Sequence, residues 1–160
     1  MRKLSLFILA LVMALSLTAC GSSHPEATQL GTSAFSIQLP DGYKSVEDDY
    51  DEDQIAYYYK DDESVDFDVF QWTKGDQYTL ESEAVYFANE YGTTPESVVI
   101  NGINGMKYTS EELYDGHTYT VVNYMFEDAD SIVELSFWTI GTSEEYAVVD
   151  EIIHTLKQNG

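Results

Sequence analysis

Cysteine occurs once in the 160 residues, at Cys20, so no intramolecular disulfide can form. A thiolate metal site is excluded for the same reason, and His24, His117 and His154 are too scattered to supply imidazole ligands at metal-binding spacing. Positive charge is scarce: 7 Lys and Arg stand against 29 Asp and Glu, for a formal charge of −22. Nucleic acid is excluded as a partner, because affinity for phosphate backbones comes from Lys and Arg. Proline (3) and glycine (10) are too few for a collagen-like or low-complexity chain. Active-site signatures are also missing. There is no Gly-x-Ser-x-Gly, Ser-x-x-Lys or His-Glu-x-x-His, and no phosphate loop or dinucleotide fingerprint. The sequence therefore points away from an enzyme and implies no cofactor.

One long apolar run is present, Leu4–Leu17, behind Arg2 and Lys3. At about 14 residues it is shorter than the roughly 20 that span a bilayer, and it has the layout of an export signal. It ends in Leu17-Thr18-Ala19-Cys20-Gly21, which resembles the lipobox of a bacterial lipoprotein. The resemblance implies a signal peptide over 1–19, lipid attachment at Cys20 and an anchor in the membrane. The small polar stretch that follows reads as a flexible tether, giving a lipidated segment 20–34 and a folded domain 35–160. About 140 residues would remain after cleavage, enough for one domain with its own core.

Within the domain, Phe35–Leu39 alternates apolar and polar and stops at Pro40-Asp41-Gly42. Ile55–Lys60 reads as a strand containing Tyr57-Tyr58-Tyr59. In the next strand Val65, Phe67 and Val69 share one face, while Asp66, Asp68, Phe70 and Trp72 take the other. That second face is expected to be wet or loosely covered. Leu80, Ala84, Phe87, Ala88 and Tyr91 make one helical stripe, with Thr79 or Asp76 as N-cap and Gly92 at the C-terminal end. Val98–Ile100, Met106–Tyr114, His117–Phe126 and Ile132–Ile140 read as strands. Two Asn-Gly pairs, Asn101-Gly102 and Asn104-Gly105, suggest a tight turn or a bulge, and Asp115-Gly116 marks a two-residue hairpin loop. Thr142 and Glu145 form a capping box for a last helix whose stripe is Tyr146, Val149, Ile153 and Leu156. Runs of antiparallel strands with segregated helices mean α+β.

Phe35-Ser36-Ile37-Gln38-Leu39-Pro40-Asp41-Gly42-Tyr43, Val98-Val99-Ile100-Asn101-Gly102-Ile103-Asn104-Gly105-Met106-Lys107-Tyr108 and Ile132-Val133-Glu134-Leu135-Ser136-Phe137, with this element order, resemble the PsbP/Mog1/DcrB-like group of domains. The resemblance covers roughly residues 34–157. It implies an α-β-α sandwich around a mostly antiparallel twisted sheet of about six strands. It implies binding or scaffolding rather than a reaction, and it carries no functional residue onto this chain.

Aromatic residues supply the candidate contacts. Trp72 and Trp138 lie opposite the strictly apolar strand faces, and they join Tyr58 as candidate ligand or partner contacts against a background of ordinary core packing. Asp49-x-Asp51-x-Asp53 begins like a calcium loop, but Gln54 stands where that loop needs glycine and Lys60 where it needs glutamate. Asp48, Asp49, Asp51 and Asp53 remain as a loose calcium alternative to a solvated acidic loop. No other metal site is expected. The expectation is a membrane-anchored extracytoplasmic lipoprotein acting as a non-catalytic binding or adaptor module for an envelope protein. The alternative is a small-ligand, carbohydrate or calcium binder.

Overall fold

The computed structural model describes residues 26–46, 53–61, 65–75 and 78–159. Cys20, the signal segment 1–19 and Asp48, Asp49 and Asp51 of the acidic loop lie outside the described residues. Ten strands and two helices make up the described fold. In chain order they are β1 (Ala27–Gln29), β2 (Phe35–Gln38), β3 (Lys44–Val46), β4 (Gln54–Tyr59) and β5 (Asp66–Thr73), then α1 (Leu80–Glu90). After it come β6 (Glu96–Ile100), β7 (Ile103–Tyr114), β8 (His117–Glu127), β9 (Ser131–Thr139), α2 (Ser143–Ile153) and β10 (Lys157–Gln158).

Seven strands form the main sheet in the order β3-β4-β5-β9-β8-β7-β6, one more than the six expected, and every pairing in it is antiparallel. The chain leaves β5 through α1, crosses one face of the sheet and re-enters at the far edge as β6. The meander β6–β9 then folds back until β9 lies against β5. The Asp115-Gly116 hairpin closes as expected, and of the two Asn-Gly pairs Asn101-Gly102 makes the turn, while Asn104 and Gly105 lie within β7 and pair with β6. Asn101 and Gly102 have φ of 52° and 83°, Asp115 and Gly116 have 48° and 79°, and these left-handed pairs are what a tight two-residue turn requires.

Both helices start on capping boxes. Thr79 Oγ1 accepts from the Ser82 N–H while Ser82 Oγ accepts from the Thr79 N–H. Thr142 and Glu145 repeat the exchange, and the buried Glu145 carboxylate also accepts from the Ile140 N–H. Helix α1 ends at Gly92, whose φ of 67° suits the residue beyond a C-cap.

The main core lies on one face of the sheet. Phe67, Val69, Val122, Tyr124, Phe126, Val133, Leu135 and Phe137 meet Val149, Ile152 and Ile153 of α2 and Phe35 and Ile37 of β2. Covering this face alongside α2 is a small second sheet, β1-β2-β10. The expected tether boundary is corrected here. Folded structure begins before Phe35: β1 pairs with β2, Leu30 is fully buried, and its N–H donates to the Phe35 carbonyl. A single leucine among polar neighbours carries no periodicity, so the sequence concealed this strand. Asp128 fastens the same segment. Burial works against its ionised form, but donors from the Ala34, Asp130 and Ser131 backbone and the Ser131 hydroxyl hold its carboxyl below the ordinary range.

The opposite face carries a smaller apolar cluster. Ala84 and Ala88 of α1 sit on Met106, Tyr108, Met125 and Ile132, with Trp72, Leu80 and Phe87 at the edge. The α1 stripe is narrower than its sequence pattern implies, because Tyr91 remains 47% exposed. Tyr146 of the α2 stripe is likewise exposed at 39%.

Candidate functional site

The strand register places the site. On the α1 face, side chains from successive strands line up in rows across the sheet. One row runs Tyr57–Asp68–Ser136–Asn123–Tyr108, polar or phenolic at all five strands from β4 to β7. A second runs Phe70–Glu134–Met125–Met106, and a third runs Asp66–Trp138–Val121–Ser110. A sheet face meant for a helix would be apolar along such rows. Here the apolar residues gather under α1, and the polar ones lie beyond its edge.

That arrangement leaves an open groove. Its larger part is a cavity of about 610 Å³ bounded by the sheet rows on its floor and by Glu83 and Phe87 of α1 and its C-cap Tyr91 on one wall. These positions recur every four residues, so one face of the helix and its cap lines the groove. A second cavity of about 460 Å³, bounded by Gln54, Tyr57, Asp66, Tyr114 and Tyr119, shares Asp68 and Trp138 with the first. The two form one trough over strands β4 to β7.

Glu134 is the most buried acid in the trough, 6% exposed on the floor of the larger cavity. The Tyr108 hydroxyl donates to its Oε1 at 2.9 Å and the Ser136 hydroxyl to the same oxygen at 3.0 Å; Oε2 receives neither bond. Burial pushes its carboxyl up to about 7, although both hydrogen bonds pull the other way. Tyr108 is raised well above the ordinary phenol range by burial and by the neighbouring Glu134 charge, and Tyr91 stacks over it with ring centres 6.4 Å apart. Asp68 accepts from the Trp138 indole N–H at 2.7 Å and from the Gln54 amide at 2.7 Å. Burial raises its carboxyl, the Trp138 bond lowers it, and Asp66 two residues away raises it. Tyr57 donates to Asp66 Oδ2 at 2.7 Å, whereas Oδ1 is buried with no hydrogen-bond partner among the described residues.

Both expected tryptophans line the trough. Trp138 joins its two cavities and meets the Tyr119 ring edge-on at 5.8 Å; Trp72 packs against Phe87 at 5.6 Å where helix and sheet diverge. Tyr58 is a correction. It is buried on the opposite face, stacked on Phe67 with ring centres 4.8 Å apart, and cannot meet a ligand in the trough. Alternation along β4 sends Tyr57 and Tyr59 to the α1 face instead, stacked on each other at 5.9 Å. The polar floor of Glu134, Ser136, Asn123 and Ser110 was not singled out from sequence. The signal available was the polar half of each alternating strand, but only the register brings those halves together. Asp53 lines the trough as well. No three His, Cys, Asp or Glu converge to hold a metal ion among the described residues.

A main antiparallel sheet with one helix on each face, and a groove where one helix leaves the sheet uncovered, is an α+β module with a PsbP-like fold. The solution structure of cyanobacterial PsbP (CyanoP) from Synechocystis sp. PCC 6803 matches with a TM-score of 0.63 at 10% identity, over 88% of this chain and 97% of that one. The crystal structure of LpqN, involved in cell envelope biogenesis of Mycobacterium tuberculosis, matches at 0.57 and 10% identity, over 87% of each chain. A crystal structure from Bacteroides thetaiotaomicron VPI-5482 matches at 0.59 and 17% identity; it covers 81% of this chain, which spans only 47% of that protein. At these identities the likeness is one of fold. No family model matches the chain, and no curated protein matches it in sequence. No helix among the described residues is long and apolar enough to cross a membrane.

Proposed function

We propose that this protein is a lipid-anchored extracytoplasmic binding module that presents the trough between α1 and the sheet to a protein of the cell envelope. The trough carries the reading: a polar, aromatic-walled concavity crossing five strands, where a purely structural domain would close its sheet with a helix. The Cys20 lipobox supports the anchor, and the solved structure involved in cell envelope biogenesis supports the setting. The absence of a recognised catalytic constellation in the sequence favours binding over turnover. Calcium or carbohydrate binding is the second reading, the latter favoured by the tryptophans beside polar side chains.

Two experiments test the proposal. Cys20→Ala is expected to abolish incorporation of labelled fatty acid and to release the protein from the membrane fraction; continued labelling would refute the anchor. Crosslinked cells expressing the full chain are expected to yield a partner that is lost in the Tyr114→Ala/Tyr119→Ala variant, which strips the trough's rim without touching the core. Equal recovery with both chains would refute the trough as the binding surface.

A further inference from the structure

The trough's charge specifies its occupant, given that the trough is the binding surface. No Lys, Arg or His lines either cavity. Carboxylates are instead spread along it: Asp66 and Asp68 on β5, Glu134 on β9, Glu112 on β7 and Glu83 on α1. A neutral ligand would leave these acids facing one another without a counter-charge. Asp66 Oδ1 is already a buried acceptor without a donor among the described residues, a state that a donor from a ligand would relieve. Both donors to Glu134 crowd onto one oxygen, so an incoming cation can approach the other. Flat aromatic faces stand between the acids, at Trp138, Tyr119 and Tyr57, where a guanidinium or an ammonium can stack while its charge is paired.

The length of the trough favours a chain over a compact cation. Five strands at about 4.8 Å spacing span roughly 19 Å, about six residues of extended peptide. The two cavities meet at Asp68 and Trp138, so one continuous segment can cross both. A single small amine would satisfy one pair of acids and leave the others unpaired.

We infer that the trough receives a basic, extended peptide segment of the partner, with arginine or lysine side chains laid between the aromatic rings and their charged heads on Asp66, Asp68 and Glu134. The protein contains its own reporter, because both of its tryptophans line the trough. The test is a fluorescence titration of the full chain in detergent with a hexa-arginine peptide, at physiological ionic strength. A saturable change in emission is expected. It should weaken about tenfold or more in Asp66→Asn/Asp68→Asn and stay unchanged in Glu144→Gln/Glu151→Gln, which removes two exposed acids of α2.

Glu112→Gln supplies a second trough variant if the Asp66/Asp68 pair impairs folding, and it should also weaken binding. Free arginine amide should bind at least about tenfold more weakly than the peptide. Equal weakening by the α2 variant would mean diffuse attraction to an acidic surface and would overturn the inference. Equal affinity for arginine amide would make this a small-cation site and overturn the peptide assignment. If hexa-arginine causes no change while cells still yield a partner that depends on Tyr114 and Tyr119, the occupant is wrong and the binding module stands.

Discussion

Replacing Glu134 with Gln isolates the energetic peculiarity of the trough. Glutamine has the shape of the protonated acid, so its carbonyl oxygen can keep the donors from Tyr108 and Ser136 while no charge is buried. In the wild type, burial raises the carboxyl from 4.5 to about 7. A folded-state value above the unfolded one means that the native state holds the proton more tightly. Its stabilising contribution is therefore complete below about pH 4.5 and is lost as pH rises through about 7. At about 1.4 kcal/mol per pH unit, the full loss is on the order of 3 kcal/mol. Relaxation of the open groove around the charge brings the expected effect down to about 1–3 kcal/mol. Urea unfolding of both proteins at pH 5 and pH 8 reads the effect. Glu134→Gln should match the wild type at the lower pH and exceed it by about 1–3 kcal/mol at the higher. Taking the difference between the proteins cancels the mutual repulsion of the other acids. A difference that stays flat across this range would refute the buried, proton-holding state of Glu134.

Other perturbations probe the rest of the fold. Leu30→Ala should cost about 2–5 kcal/mol in urea unfolding, because Leu30, just after β1, is fully buried in the core; a loss under about 0.5 kcal/mol would return residues 27–34 to the tether. Phe137→Ala empties the contact between Phe67 and Tyr124 and should cost about 3–5 kcal/mol, whereas Val99→Ala on an exposed edge should stay within about 0.5 kcal/mol. Thr142→Ala removes half of the α2 capping box and should lower stability by about 1 kcal/mol, read as a lower thermal midpoint.

Local features were legible in the sequence because local chemistry dictates them. Asp115-Gly116 and Asn101-Gly102 carry the left-handed turn in two residues, and Thr142 with Glu145 caps a helix whatever the helix packs on. The alternation of Asp66, Asp68, Phe70 and Trp72 pointed to a wet or loosely covered face, and that face lines the trough. Non-local pairing was the part that could not be read. Asp68 and Ser136 are opposite each other only because β9 returns to β5 after three intervening strands, and no period in either strand contains that fact. The same gap hid Glu134, which reads in isolation as a solvated residue on the outer face of β9. Tyr58 was misplaced for a smaller reason: three consecutive tyrosines give no phase, and a register shift between Gln54 and Ala56 sets which of them faces the core.

Photocrosslinking in cells can show which surface of the domain touches the partner. A photoreactive amino acid is placed at Tyr119 on the trough, at Val99 on the exposed sheet edge, or at Glu151 on the outer surface of α2. The expected result is one discrete adduct from position 119 and none from positions 99 and 151. Adducts from position 99 or 151 with none from 119 would contradict the assignment of the trough as the surface through which this protein meets its partner.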